Sequence, residues 1–289
     1  REAYGIARQN AKVFPMSNDN LLVPNASAST TIYYPGENTA ITASDLTFSQ
    51  VNLTAKKMAV LTQVSKELAE DSVIDFGATL ARDMAFVMAK EEDRVCFNNA
   101  NDATSGITGA LWGVYNLDAT KANIASLVLF TTAQTVAFSP TLANIRSMVQ
   151  KLPTYAMNAK WYMHKEIWYT AISPLLDSLS GNAIGDIMNA YGPNPTLYGY
   201  PVVFVQNMPK TLTASTPYIL LGDLSVGTAF GDRRGVTIEV SDQRYFVEDA
   251  LAFKGTERFA FVPFDLGNVS ATASLRVPGS LIVGASQAT

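Results

Sequence analysis

The sequence predicts an α+β fold shaped for association with other protein. Three observations lead there. Helical and strand-like segments alternate through the middle of the chain, and strand-like segments hold both ends. Charged residues are 16% of the 289, where an average globular domain carries about 25%. Hydrophobic residues are 48%, enough for a sizeable core. A soluble monomer needs charge to stay dispersed, so this deficit places much of the surface against other protein.

Residues 1–28 hold isolated apolar groups (Phe14, Leu21, Leu22, Val23) between Pro15 and Pro24, with no sustained period. They read as an extended arm lying along another surface. Residues 29–35, Ser-Thr-Thr-Ile-Tyr-Tyr-Pro, are β-branched and aromatic, which favours a strand. A turn-like segment runs from Gly36 to Asp45. Leu46, Phe48, Val51 and Leu53 then give strand spacing, with a slip between Phe48 and Val51 that suits a bulge. Together these predict a long β-hairpin. A lone hairpin is marginal in water, so it needs a partner surface.

The strongest helix signal covers 73–98. Ser72 is the expected N-cap, with Asp75 three residues on. Phe76, Leu80, Met84 and Met88 recur every four residues, and Val73, Val87 and Val95 broaden the stripe. Such a helix spans about 39 Å. A loop follows to Gly109. A second helix fits 140–152, with Ser139 as cap, Pro140 first, and Leu142, Ile145, Val149 and Leu152 buried. A helix disturbed at Pro174 fits 165–179. Strands fit Trp161 to Met163, Pro201 to Gln206, Tyr218 to Leu221, Val236 to Val240, Tyr245 to Phe253 and Arg258 to Phe264.

Composition also narrows function. A net charge of -4 argues against a dedicated DNA binder, which needs a basic footprint. The one cysteine, Cys96, excludes an intrachain disulfide and a cysteine zinc cluster. No signal peptide is visible. The apolar stretch from Ile124 to Phe138 is broken by Ser126, Thr131, Thr132, Gln134 and Thr135, short of the ~18 residues a spanning helix needs.

No catalytic constellation emerges, so no catalytic, cofactor-binding or metal-binding residue is expected. His164, the single histidine, excludes a two-histidine zinc motif. It would have to serve any Ser-His-Asp triad, and no G-x-S-x-G turn presents a serine. Cys96 reads as a small buried hydrophobe. Glu91, Glu92 and Asp93 point to different helix faces and read, with Lys90 and Arg94, as a solvated or subunit-facing surface. Gly231-Asp-Arg-Arg-Gly235 lacks phosphate-loop spacing and reads as a turn.

Five segments, in order, carry a family resemblance. They are Asp45 to Ala59 running into Val64–Ser72; the long helix ending Ala89-Lys-Glu-Glu-Asp-Arg; Gly199-Tyr-Pro-Val-Val with Asn207-Met-Pro; Gly222-Asp-Leu with Asp232-Arg-Arg-Gly-Val; and Phe246 to Arg258. In this order the chain resembles the major capsid proteins of tailed bacteriophages, the Hong Kong ninety-seven fold. The resemblance implies an N-terminal arm (1–28), an extended loop (29–56), and a peripheral domain (57–132) with a spine helix near 73–98. It also implies an axial domain (133–242) and a return to the peripheral domain with C-terminal strands (243–289). It implies a shell of hexamers and pentamers around double-stranded DNA, in a virion assembled in the bacterial cytoplasm. Implied partners are other copies, a portal, and scaffolding, protease or decoration proteins, with no membrane. A start at Arg1 without Met fits a precursor that loses an N-terminal segment.

The expected subunit contacts are Phe14, Tyr33, Tyr34, Leu46 and Phe48, which lack a local core, and Arg82, Asp83 and Arg94 on the polar helix face. Some relatives cross-link subunits through a lysine, an asparagine and a glutamate. Those positions match Ile41, Asp249 and Thr256 here, so non-covalent contacts are expected. Lys56 and Lys57 lie far from the loop tip, and Glu257 is one residue off. The alternatives are an encapsulin-like compartment shell and, from another class, a serine hydrolase using His164.

Overall fold

The computed structural model describes residues 4–28, 30–41, 43–67, 76–100, 105–130, 139–177, 188–189 and 195–287. The expected N-cap Ser72 and the helix positions 73–75 lie outside them, as do 178 and 179 of the helix expected over 165–179. Two sheets share one core. The first is four-stranded, in the order β1 (Lys12–Pro15), β11 (Thr228–Tyr245), β12 (Ala250–Pro263), β4 (Lys56–Ser65). The second is seven-stranded. Its order is β5 (Leu127–Phe130), β13 (Leu281–Ser286), β10 (Pro217–Gly222), β6 (Lys160–Met163), β9 (Tyr200–Phe204), β8 (Thr196–Leu197), β7 (Met188–Asn189). Residues 228–242, expected with the axial part, pair in the first sheet. Residues 281–286, expected with the peripheral part, pair in the second.

Strands β10 and β13 are buried along their whole length, which explains their unbroken apolar runs. One side of this sheet sends Tyr162, Leu220, Leu281 and Val283 into a core with Val95, Cys96 and Phe97 of helix α2 (Phe76–Asn98) and with α3 (Ala110–Tyr115). The other side packs Trp161, Met163, Ile219 and Ile282 against Ile145 and Met148 of α4 (Leu142–Lys151) and Trp168 of α5 (165–177). In α4, Thr141 rather than Ser139 is the N-cap: its side chain accepts from the Asn144 N–H at 3.2 Å, and Pro140 lies before the helix. In α5, residues 168–172 form a π turn closed by the Ser173 N–H donating to the Trp168 carbonyl. This wider turn makes room for Pro174, whose ring would crowd a regular α turn.

Helix α2 lies across one face of the first sheet. Met84 packs with Val64 and Phe253, flanked by Leu80, Val60 and Leu251. Along β4, residues 58, 60, 62 and 64 are covered, and 57, 59, 61, 63 and 65 are exposed. The helix approaches closely because position 255 has no side chain. A Cβ there would sit 3.0 Å from Val60 Cγ1, 3.1 Å from Met84 Cε and 3.1 Å from Met88 Sδ.

Several expectations are corrected. The 1–28 segment is not a bare arm. It forms α1 (Ile6–Asn10), then β1 paired in parallel with β11, then β2 (Asn20–Ala28). The hairpin pairs β2 with β3 (Thr47–Thr54), with Leu21 opposite Leu53 and Val23 opposite Val51. The described residues of 29–35 are not a strand, because their β-favouring side chains have no face to bury within the chain. The pairing irregularity lies at Ala26–Ala28. The slip after Phe48 is a change of face, with Phe48 outward and Leu53 buried. Residues 231–235 lie inside β11 rather than in a turn, and the chain reverses at 246–249 inside the expected 245–253 strand. Asp249, at φ 46°, takes the left-handed conformation of that turn.

Replacing Gly255 by Val should overfill the contact between α2 and the sheet. We expect a loss of about 1–3 kcal/mol, measured by denaturant unfolding of the unassembled chain. Unchanged stability would show that the two layers do not meet there.

Candidate assembly surfaces

Two features distinguish this chain from an ordinary monomer: a buried charge cluster that fixes its N-terminal segment, and an uncovered apolar loop. The cluster is centred on Arg8 of α1. Its Nε and Nη2 donate to the two carboxylate oxygens of Glu92, at 3.2 and 3.0 Å. Nη1 reaches Asp232 at 2.9 Å and Nη2 reaches Glu257 at 2.7 Å. The guanidinium also lies 4.7 Å from the centre of the Phe230 ring. Beside it, the Asp93 carboxylate accepts from the N–H groups of Gly5, Ile6 and Ala7 at 2.7, 3.2 and 3.0 Å. A carboxylate there satisfies donors that a helix start leaves open.

Glu92, Asp93 and Glu257 are buried. Of the 91–93 acids, Glu92 and Asp93 therefore face inward, and Glu91 stays partly exposed, paired with Arg94. Glu92 continues the four-residue stripe of Met84 and Met88 toward Cys96, so it points inward. Burial and the neighbouring Glu92 push the Glu257 carboxyl up to about 7, against the pull of Arg8. Burial also raises Asp93, opposed by its three N–H donors. Sequence reasoning missed Arg8, Asp232 and Glu257. For Glu92 the helical period was the available signal.

The connection between β2 and β3 forms the second feature. Ile32, Tyr33, Tyr34, Ile41, Leu46 and Phe48 are all exposed, Tyr34 at 94%. The loop is held to itself: the Thr31 N–H donates to Ser44 Oγ at 2.9 Å, and Ser44 Oγ donates to the Thr31 carbonyl at 3.1 Å. A turn at Gly36–Thr39 makes its tip. Nothing among the described residues covers these side chains, and exposed apolar patches of this kind mark contact sites.

The other expected contact residues are spread out. Phe14 is half-buried in its own chain, beside Met16, Leu53, Ala229 and Ala260. Arg82 and Asp83 lie on the exposed side of α2. Arg94 is half-buried and pairs with Glu91 at 2.7 Å. Only the loop residues are brought together.

His164 ends β6 and caps α5, its Nδ1 accepting from the Glu166 N–H at 3.1 Å. Cys96 is wholly buried, which pushes its thiol well up. Among the described residues, no group of three or more His, Cys, Asp or Glu side chains could hold a metal ion. No helix of the described residues is long and apolar enough to cross a membrane.

Comparison with known proteins follows from this geometry. A family model, the phage capsid family, matches residues 2–268. No curated protein matches the chain. Among solved structures, the capsid of a native GTA particle is 17% identical, with a TM-score of 0.72 over 100% of this chain and 93% of that one. The structure titled Mycobacterium phage Adephagia is 15% identical, with a TM-score of 0.72 over 100% and 92%. The SrpI encapsulin of Synechococcus elongatus is 10% identical, with a TM-score of 0.63 over 96% and 85%.

Arg8→Ala should leave buried carboxylates unpaired and cost about 3–5 kcal/mol at neutral pH, read by denaturant unfolding. A loss near zero would show that the cluster is not structural. Glu257 keeps its proton to about pH 7 when folded, but titrates near 4.5 when unfolded. Its contribution is therefore complete below the lower value and lost as pH rises through the upper one. Glu257→Gln keeps the neutral shape and should flatten the fall in melting temperature between about pH 5 and about pH 8. Equal slopes in the two proteins would count against a proton at Glu257.

Proposed function

This chain belongs to the phage capsid family, and from that premise we propose that its copies form hexamers and pentamers that close into an icosahedral head around double-stranded DNA. It is a shell protein of the virion capsid, and self-association is its work. The observation that carries the finer reading is the uncovered loop. Tyr34 and Ile41 are exposed at 94% and 77% in the single chain, and a neighbouring copy offers the surface to bury them. The two-sheet body and its buried helix would be the wall, with the loop as the contact between copies. We assign 57–132 and most of 243–289 to the peripheral region and 133–227 to the axial one, with 228–242 joining the first sheet and 281–286 the second. Portal, scaffolding, protease and decoration proteins are the further partners this reading implies. The net charge of -4 suits enclosure of DNA rather than tight binding to it.

The encapsulin likeness shares the fold at 10% identity and gives a second reading, a compartment enclosing protein. The family match favours the phage head. We place no catalytic role on the chain.

The shell is held by non-covalent contacts in this reading. Ile41 offers no amine. Asp249 is bound to Lys66 at 2.8 Å, and Thr256 offers no carboxylate. The purified chain should give closed shells by electron microscopy. Boiled in denaturing detergent, those shells should give one band near 31.2 kDa. Monomers alone at high concentration would overturn the shell reading, and a ladder that survives reduction would overturn the non-covalent one.

A further inference from the structure

The first sheet ends in a strand whose outer edge is open. β4 is last in the strand order and pairs with β12 along its whole length, without a register shift. In an antiparallel pair, alternate residues turn their N–H and C=O groups away from the partner strand. Among the described residues, no other backbone group bonds to those of 57–65. Soluble proteins blunt such edges with charge, proline or a bulge. From Met58 to Ser65 this edge has none of them.

A groove runs along the first half of this edge. It consists of two adjoining cavities of about 450 and 480 Å³, which share Met58, Ala59 and Glu91. Residues 56–60 line one wall, and Phe86, Val87, Glu91 and Val95 of α2 line the other. Successive strand residues point to opposite faces of a sheet. A wall made of five in a row is therefore the backbone edge itself. The opposite wall is apolar: Val87 is 45% exposed there, and Ile107 lies at the end beside Lys56. The rim is basic. The lining carries Lys56, Lys57, Lys90 and Arg94 against one acid, Glu91, which Arg94 takes at 2.7 Å. Lys56 and Lys90 have no carboxylate within ion-pair distance among the described residues.

We propose that this groove binds a segment of a different protein: an extended stretch that adds to β4 as a further strand and alternates apolar with acidic residues. Its backbone would take up the open N–H and C=O groups of β4. Its side chains would point alternately to the two faces, one set against Val87, Val95 and Ile107 and the other toward the lysines of the rim. Opposite charge fixes the register, while apolar burial supplies most of the affinity. Nucleic acid would satisfy the lysines through its phosphates, but it leaves the strand edge and the apolar wall unused. This chain's own unpaired acidic stretch is 30–46, with Glu37 and Asp45, and it stands on the loop already given to contacts between copies. The groove belongs to the single chain, so its binding is separate from the shell reading.

Labelled peptides and the full, unassembled chain test it. A capped Glu-Val-Glu-Val-Glu-Val-Glu peptide should bind, read by fluorescence anisotropy, and should slow hydrogen exchange at amides within 56–60. The matching Lys-Val peptide should bind more weakly by roughly tenfold or more. Lys56→Glu with Lys90→Glu, and separately Val87→Asp, should each weaken the acidic peptide by roughly tenfold or more. All three positions are exposed, and thermal unfolding of each variant checks the fold. Of two acidic peptides N-methylated at alternate residues, odd or even, one should fail to bind, because a strand pairs through one edge at a time. No binding, binding without protection within 56–60, or equal binding of the Lys-Val peptide overturns the proposal. Tighter binding by a 30–46 peptide of this chain overturns it in favour of a second copy. A DNA duplex that binds through Lys56 and Lys90 more tightly than the peptide overturns it in favour of nucleic acid.

Discussion

The structure depends on keeping Arg8 among Glu92, Asp232 and Glu257. Buried carboxylates are costly unless they are paired and hydrogen-bonded. Here one guanidinium answers the buried Glu92 and Glu257 together with the partly exposed Asp232, and burial and Glu92 push the Glu257 carboxyl up, which lessens the charge that Arg8 must balance. The four residues come from α1, α2, β11 and β12. Satisfying one set of charges therefore fixes four elements that lie up to 249 positions apart in sequence.

That fixation gives the N-terminal segment its form. Asp93 holds the start of α1, Lys160 Nζ bonds Asn10 at 2.7 Å, and Tyr4 meets Phe86 edge-on at 5.0 Å. The chain leaves this anchor as β1 along β11. Only after β2 does it depart from the body. The loop is thus carried on a rigid base, which lowers the entropy lost when it docks.

The first sheet is two-sided for the same reason. One face is closed by α2, through the gap at Gly255. The other is left with exposed alternate residues of β4. A single domain does not need such a face, whereas a wall made of many copies does. The fold thus separates the two tasks: one face stabilises the subunit, and the other is open to a neighbour.

The sequence by itself determined the α+β class, the apolar stripe of α2, the buried runs of β6 and β10, and the loop that cannot cover itself. Each is a local pattern: a period, an apolar run, or aromatic residues without a nearby core. Glu92 was legible as the next step of the Met84–Met88 stripe, but its charge pointed to solvent until Arg8 was seen beside it. Tertiary structure alone decided that β3 pairs with β2 rather than with 29–35, since β-propensity does not name a partner and burial of Leu21, Val23 and Leu53 does. It also decided that 231–235 continues a strand, because β1 pairs with it as far as Asp232 and β12 pairs with Gly231, Asp232 and Arg234 across an irregular register. The cluster at Arg8 and the groove between β4 and α2 arise between residues far apart in the chain. No local pattern reports a charge whose partner is set by the fold.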